Sequence, residues 1–242
     1  MVHTLPDYTT KYKMTKVFAN IDSAELAARL GSIDKFDRRG SVMALSDFET
    51  TLAQWTPRGS GVGNNVYINA SEARTGIASC KMITGAAAGE NADIYRYLPY
   101  YDKSKLGYEL SFTLDDNVRE LDFIMYLYDG TNRHDCIVKY YPQVNDLRAT
   151  TGDAGILTVD SDLDLLAKNK FFHTFKATAN FETGMFGEII VDNHHYDMST
   201  HTLPVGLGGP GPCLYYFFSV ITNVNLNVSI FVDDFIATSD EP

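Results

Sequence analysis

Basic charge, paired cysteines and long apolar runs are what these 242 residues are short of. Lys and Arg number 20 against 31 Asp and Glu, a formal charge of -11, so the clustered cations that a phosphate backbone demands are missing and no nucleic-acid partner is expected. Three cysteines, Cys80, Cys136 and Cys213, lie too far apart for a disulfide framework or a zinc set. Cys80 and Cys136 fall in apolar strand patterns and are expected in the core. No stretch approaches the roughly twenty apolar residues of a membrane span, and residues 1 to 16 hold no apolar segment of signal-peptide type, so no membrane partner is expected. A Gly-x-Ser-x-Gly elbow, a phosphate loop and a dinucleotide fingerprint are absent too, which removes the common hydrolase and nucleotide readings.

Helix signals are equally scarce. Asp22 can cap a short helix over about 22–30, with Glu25 three residues on and Gly31 ending it. Residues 1–45 otherwise read as an N-terminal arm, fit to dock on a neighbouring subunit of a homo-oligomer. Residues 46–242 read as one domain of strands divided by turns, and 45% hydrophobic with 12% aromatic content supplies its core. Tyr108, Leu110, Phe112 and Leu114 alternate with polar residues, as do Phe171 to Phe181, the period of half-buried strands. Leu121 to Tyr128 and Cys136 to Tyr141 flank Asp129-Gly-Thr-Asn132, a hairpin signal. Leu163 to Lys168 predicts one helical turn, and the Gly/Pro-rich 205–212 an irregular loop. Many short strands without an internal repeat predict an all-β antiparallel sandwich, best a jelly roll.

The closing strand, Val228 to Ala237, breaks an apolar run with Asp233 and Asp234. Strict alternation predicts Val228, Ile230, Val232 and Ile236 on one face and Phe231 with Phe235 on the other. A carboxylate there needs a partner. Leu45-Ser-Asp-Phe-Glu49 predicts a short strand with Asp47 and Glu49 on one face. In a jelly roll the first and last strands become neighbours, which would gather the four carboxylates.

Asp47-Phe-Glu49 with Trp55, the Gly76-to-Met82 strand, the Phe172-to-Lys176 and Tyr196-Asp197 hairpin, and Val232-Asp-Asp-Phe235 together resemble jelly-roll carbohydrate-binding modules and concanavalin A-like lectin domains. That resemblance implies a structural calcium on Asp47, Glu49, Asp233 and Asp234, whose hard oxygens suit the ion; no organic cofactor is expected. Leu5-Pro-Asp-Tyr-Thr-Thr-Lys11 and Ala24 to Gly31 resemble the start of bacteriophage structural proteins. The leading expectation is therefore a non-catalytic virion component, in the cytoplasm if not in a particle. The alternative is a lectin-like module that binds a polysaccharide through Tyr95, Arg96, Tyr97, Tyr100, Tyr101, Tyr140 and Tyr141, with Tyr215 and Tyr216 as further candidates. A third reading is a glycosidase or polysaccharide lyase using Glu120 and Asp122; the third acidic position of the lectin-like glycosidases is filled here by Ile124 or Met125, so the two read more simply as the solvent face of a strand.

Overall fold

The computed structural model describes residues 41–99, 104–167, 171–209 and 211–241. The arm up to residue 40, its expected helix, and Tyr100 and Tyr101 lie outside them. Sixteen strands, numbered in chain order, form two antiparallel sheets. The first sheet holds β1 (Ser41–Ser46), β3 (Asn65–Asn69), β4 (Ser79–Ile83), β6 (Lys105–Thr113), β11 (Phe172–Asn180), β12 (Met185–Val191), β13 (His194–Asp197) and β16 (Ser229–Ser239). Its order is β13-β12-β11-β6-β16-β4-β3, with β1 also on β16. The second holds β2 (Thr56–Gly59), β5 (Asn91–Pro99), β7 (Val118–Tyr128), β8 (Asn132–Tyr141), β9 (Asp146–Thr151), β10 (Gly155–Asp160), β14 (Val205–Leu207) and β15 (Cys213–Thr222). It runs β10-β9-β8-β7-β15-β5-β2, with β14 on β8. This is the all-β sandwich that the alternation predicts.

Alternation places one side chain in two between the sheets. Tyr108, Phe112 and Phe175 meet Phe123, Tyr216 and Phe218 there, all buried. Phe123 stacks on Phe175 with centroids 4.0 Å apart, joining the sheets at their middle. Cys80 and Cys136 are fully buried, as expected.

The first and last strands are neighbours: Leu45 faces Ile236 and Ser46 faces Phe235. Residues 41–45, grouped with the arm by the sequence reading, belong to this strand pair. One edge of β16 is shared, Ser229 to Val232 pairing with β4 and residues beyond the Asp doublet pairing with β1. At that junction Asp234 takes a left-handed φ of 50° and the register to β6 slips between Asp233 and Ile236. The bulge reverses the alternation. Phe235, expected outside with Phe231, turns into the core 4.8 Å from Trp55, while Ile236 is carried to the face expected for Phe231.

Three further local expectations are corrected. Asp47 and Glu49 do not lie on a strand, because β1 ends at Ser46 and Phe48 adopts a φ of 51° that sends its ring to Trp55. Residues 163–167 form no helical turn. They carry no regular structure and are held by the Tyr140 hydroxyl, which donates to the Leu163 carbonyl at 2.7 Å and accepts from the Leu165 amide at 3.3 Å. Within 205–212, three residues pair with β8, Val205 opposite His134; the prolines at 204 and 212 flank this strand and leave its amides free to bond.

Candidate functional site

On β15 the side chains of Leu214, Tyr216, Phe218 and Val220 point into the core, so Tyr215, Phe217 and Ser219 must point out of the second sheet. Register then aligns the outward residues of its neighbours into rows. One row is polar and crosses six strands: Arg58, Asp93, Ser219, Asp122, Lys139, Arg148. At about 4.8 Å per strand it spans roughly 24 Å. The next is apolar, with Tyr95, Phe217, Ile124 and Ile137, and the third holds Tyr97, Tyr215, Tyr126 and Asp135.

The tyrosines form a continuous platform. Tyr215 stacks on Tyr126 at 5.6 Å with an interplanar angle of 10°, and lies 4.9 Å from Tyr97. Tyr97 is half exposed, and the Arg133 guanidinium covers the other end, 4.6 Å from the Tyr126 ring. Burial, with Asp135 nearby, pushes the Tyr126 hydroxyl up to about 12, so it keeps its proton and remains a hydrogen-bond donor.

In the polar row, two rows from the platform, Lys139 Nζ donates to Glu120 Oε1 at 2.6 Å. It lies 3.0 Å from Asp122 Oδ1, but off line, and that buried oxygen has no hydrogen-bond partner. Burial pushes the Asp122 carboxyl up to about 7, and its shared hydrogen bond with Glu120 adds to this. Burial works against ionising Glu120 as well, yet the bond from Asp122 and the Lys139 ammonium outweigh it and hold that carboxyl below its usual range. The pair thus divides into a proton holder and a carboxylate. Asp93, almost wholly buried, is raised by burial and steadied by Ser219 Oγ at 2.6 Å and Asn91 Nδ2 at 2.7 Å.

Of the sequence candidates, Tyr95, Tyr97, Tyr141, Glu120 and Asp122 come together on this face with Tyr215. Arg96 and Tyr140 do not, because alternation turns them inward: Arg96 Nη1 donates to the Leu45 carbonyl at 3.5 Å, and Tyr140 holds the 163–165 strap. Tyr216 is buried in the core. Sequence reasoning passed over Asp93, Tyr126, Phe217, Ser219, Lys139 and Arg148. The inward set of each strand was legible, and its complement names them.

Of the Asp47, Glu49, Asp233 and Asp234 group, the last three converge instead on the segment between β3 and β4, and Asp47 bonds locally. Asp233 Oδ2 accepts the amides of Arg74 at 2.8 Å and Thr75 at 3.2 Å. Asp234 takes the Arg74 guanidinium and the Thr75 hydroxyl, both at 2.6 Å. Glu49 Oε1 accepts the Ile77 amide at 3.0 Å, and Asp47 Oδ1 accepts that of Glu49 at 3.2 Å. With their oxygens turned to protein donors these residues do not fit a calcium ion, and among the described residues no three His, Cys, Asp or Glu side chains are grouped to hold a metal. A cavity of roughly 430 Å³ opens on the outer face of the first sheet. Its inner cation, Lys176, is held by Glu109 at 3.2 Å and Glu241 at 2.9 Å, and Phe186 is the one aromatic among its described lining residues, so it offers a sugar no platform.

No family model matches the chain, and no curated protein does. Solved structures do. An endo-β-1,4-glucuronan lyase from the fungus Trichoderma reesei aligns at a TM-score of 0.55 with 11% identity, covering 82% of this chain and 95% of that one. An alginate lyase, vAL-1, from Chlorella virus aligns at 0.50 with 8% identity, covering 82% and 99%. Jelly-roll carbohydrate-binding and lectin-like domains also match; the carbohydrate recognition domain of Emp46p does so at 0.47 with 13% identity, covering 81% and 93%, too distant to argue from. These likenesses establish the fold, a jelly-roll sandwich. The expectation of a non-catalytic protein is withdrawn, because a glucuronan lyase and an alginate lyase are built on the same sandwich. Nothing in them indicates the expected virion component.

Proposed function

We propose that this protein binds a polysaccharide laid across the strands on the outer face of the second sheet. The observation that carries the reading is the register of that face: a row of tyrosine rings, closed at one end by the Arg133 guanidinium and continued by Tyr95 and Phe217 of the next row, gives the apolar ring faces of a sugar a surface to lie on. Pyranose rings stack on Tyr97, Tyr215 and Tyr126, and their hydroxyls meet the Arg133 guanidinium at the end of that row. Membership of a fold shared with a glucuronan lyase and an alginate lyase supports the choice of a carbohydrate. Affinity electrophoresis against plant, algal and bacterial polysaccharides tests it. Retardation by at least one polymer, abolished in a Tyr97→Ala, Tyr215→Ala double variant with an unchanged circular dichroism spectrum, is the expected result; no retardation by any polymer counts against the proposal.

A second reading, that the same face cleaves what it binds, is favoured by Asp122. This residue carries a proton near neutral pH beside the ionised Glu120, an acid next to a base. Release of reducing or unsaturated ends that is lost in Asp122→Asn supports cleavage here. Release that persists in an Asp122→Asn, Glu120→Gln double variant places the chemistry elsewhere.

A further inference from the structure

Among the described residues, the cations of the second sheet's outer face lie against carboxylates. Arg133 meets Asp135 through two parallel bonds, Nε to Oδ1 at 2.6 Å and Nη2 to Oδ2 at 2.7 Å. Lys139 is shared by Glu120 at 2.6 Å and Asp122 at 3.0 Å. Arg148 Nε donates to Asp146 at 3.1 Å, and at the strand edge Arg58 Nε lies 3.9 Å from Asp93. A sugar carboxylate arriving at Arg133 or Lys139 would have to take that cation from its partner, leaving a buried Asp or Glu uncompensated, a costly exchange. It would also approach a chain of net charge -11. Hydroxyl groups face neither obstacle, because they bond to carboxylates and ammonium groups that remain paired.

We infer, on the basis of the binding reading above, that this face selects uncharged polysaccharides and turns polyuronates away. The selection is repulsive in origin: among the described residues the pairs at Arg133, Lys139 and Arg148 hold the cations of the platform's side of the face, while the tyrosine platform accepts any chain with flat, apolar ring faces. Engagement of an uncharged chain should accordingly depend little on salt, because no ion pair forms on binding.

Native gels containing xylan, mannan or mixed-linkage glucan, against gels containing alginate, pectate or polyglucuronate, test the inference on the full chain at low and at physiological salt. Retardation by at least one uncharged polymer and by none of the polyuronates is expected, with less than a twofold change between salts. Retardation by a polyuronate at least as strong as by any uncharged polymer overturns the charge selection and leaves polysaccharide binding standing. Retardation by none of the six overturns both. The cause is tested with Asp135→Asn, which frees Arg133: its retardation in alginate at low salt should exceed that of the parent at least fivefold. A folded Asp135→Asn with parental mobility in alginate overturns the pairing argument; Asp146→Asn, which frees Arg148, takes its place if the first variant does not fold.

Discussion

Two acidic groups, one at the bulge of β16 and one on the outer face of β7, hold an Asp whose carboxyl burial pushes up to about 7, yet they do different things. Asp233 is enclosed, its neighbour Asp234 adds repulsion, and three backbone amides, of Arg74, Thr75 and Asp234, bond its oxygens. Asp122 has a buried oxygen without a hydrogen bond and a carboxylate partner, on the face that carries the aromatic platform. A raised carboxyl alone therefore does not separate structure from function. What separates them is whether the donors are local backbone, which closes the group, or side chains on an open face, which leaves capacity for a ligand.

The largest effect expected from this contrast is in stability. Asp233→Ala strips the amides of Arg74 and Thr75 of their acceptor and opens the junction between β4 and β1, and should cost about 2–4 kcal/mol in chemical denaturation. Polysaccharide retardation by the folded fraction should stay at the parental level, and a loss as deep as that of the tyrosine double variant would break the distinction.

Second comes the pH dependence of Asp122. Its folded carboxyl titrates about 7 against an ordinary 3.8, so between those values the unfolded chain ionises while the folded one keeps its proton. Its contribution is thus fully present below pH 4 and is lost as pH rises through 7. Asp122→Asn cannot ionise. Its stability relative to the parent should climb by about 1–2 kcal/mol from pH 4 to pH 8, read as a difference in melting temperature that cancels the common Asp233 contribution. A flat difference would show that Asp122 is not held protonated.

A third test concerns the platform alone. Tyr215→Ala, on the half-buried face, should weaken polysaccharide binding about tenfold while moving the melting temperature by only a few degrees. The smallest expected effect is that of calcium. Millimolar calcium followed by EDTA should leave the melting temperature unchanged, because the oxygens of Glu49, Asp233 and Asp234 face protein donors, and a rise of several degrees on adding calcium would overturn that account.

How far the sequence reaches follows from the range of each signal. Alternation along β6 and β11 is local, and it predicts the sandwich and its core residues directly. The meeting of the first and last strands follows from jelly-roll topology. The bulge does not, because its cause is tertiary: β16 changes partner from β4 to β1 at the Asp doublet, and no pattern within Val228 to Ala237 records the change. The same limit hides the candidate site. Asp93, Asp122, Lys139, Arg148 and Ser219 form a row only once five strands are in register, and on its own strand each is simply a polar residue opposite an apolar one.

Because β16 lies between β6 and β4 and also carries β1, the middle of the first sheet is finished by residues 229–239. Ser41 pairs with Ser239, so this contact closes across almost the whole described chain. During synthesis β6 can pair with β11 and β3 with β4 early, but β1 and the edges of β4 and β6 that face β16 must wait with their amides and carbonyls unpaired until the ribosome has passed Ser239. Such a late, distant closure implies slow folding and an interval in which open strand edges can recruit another chain.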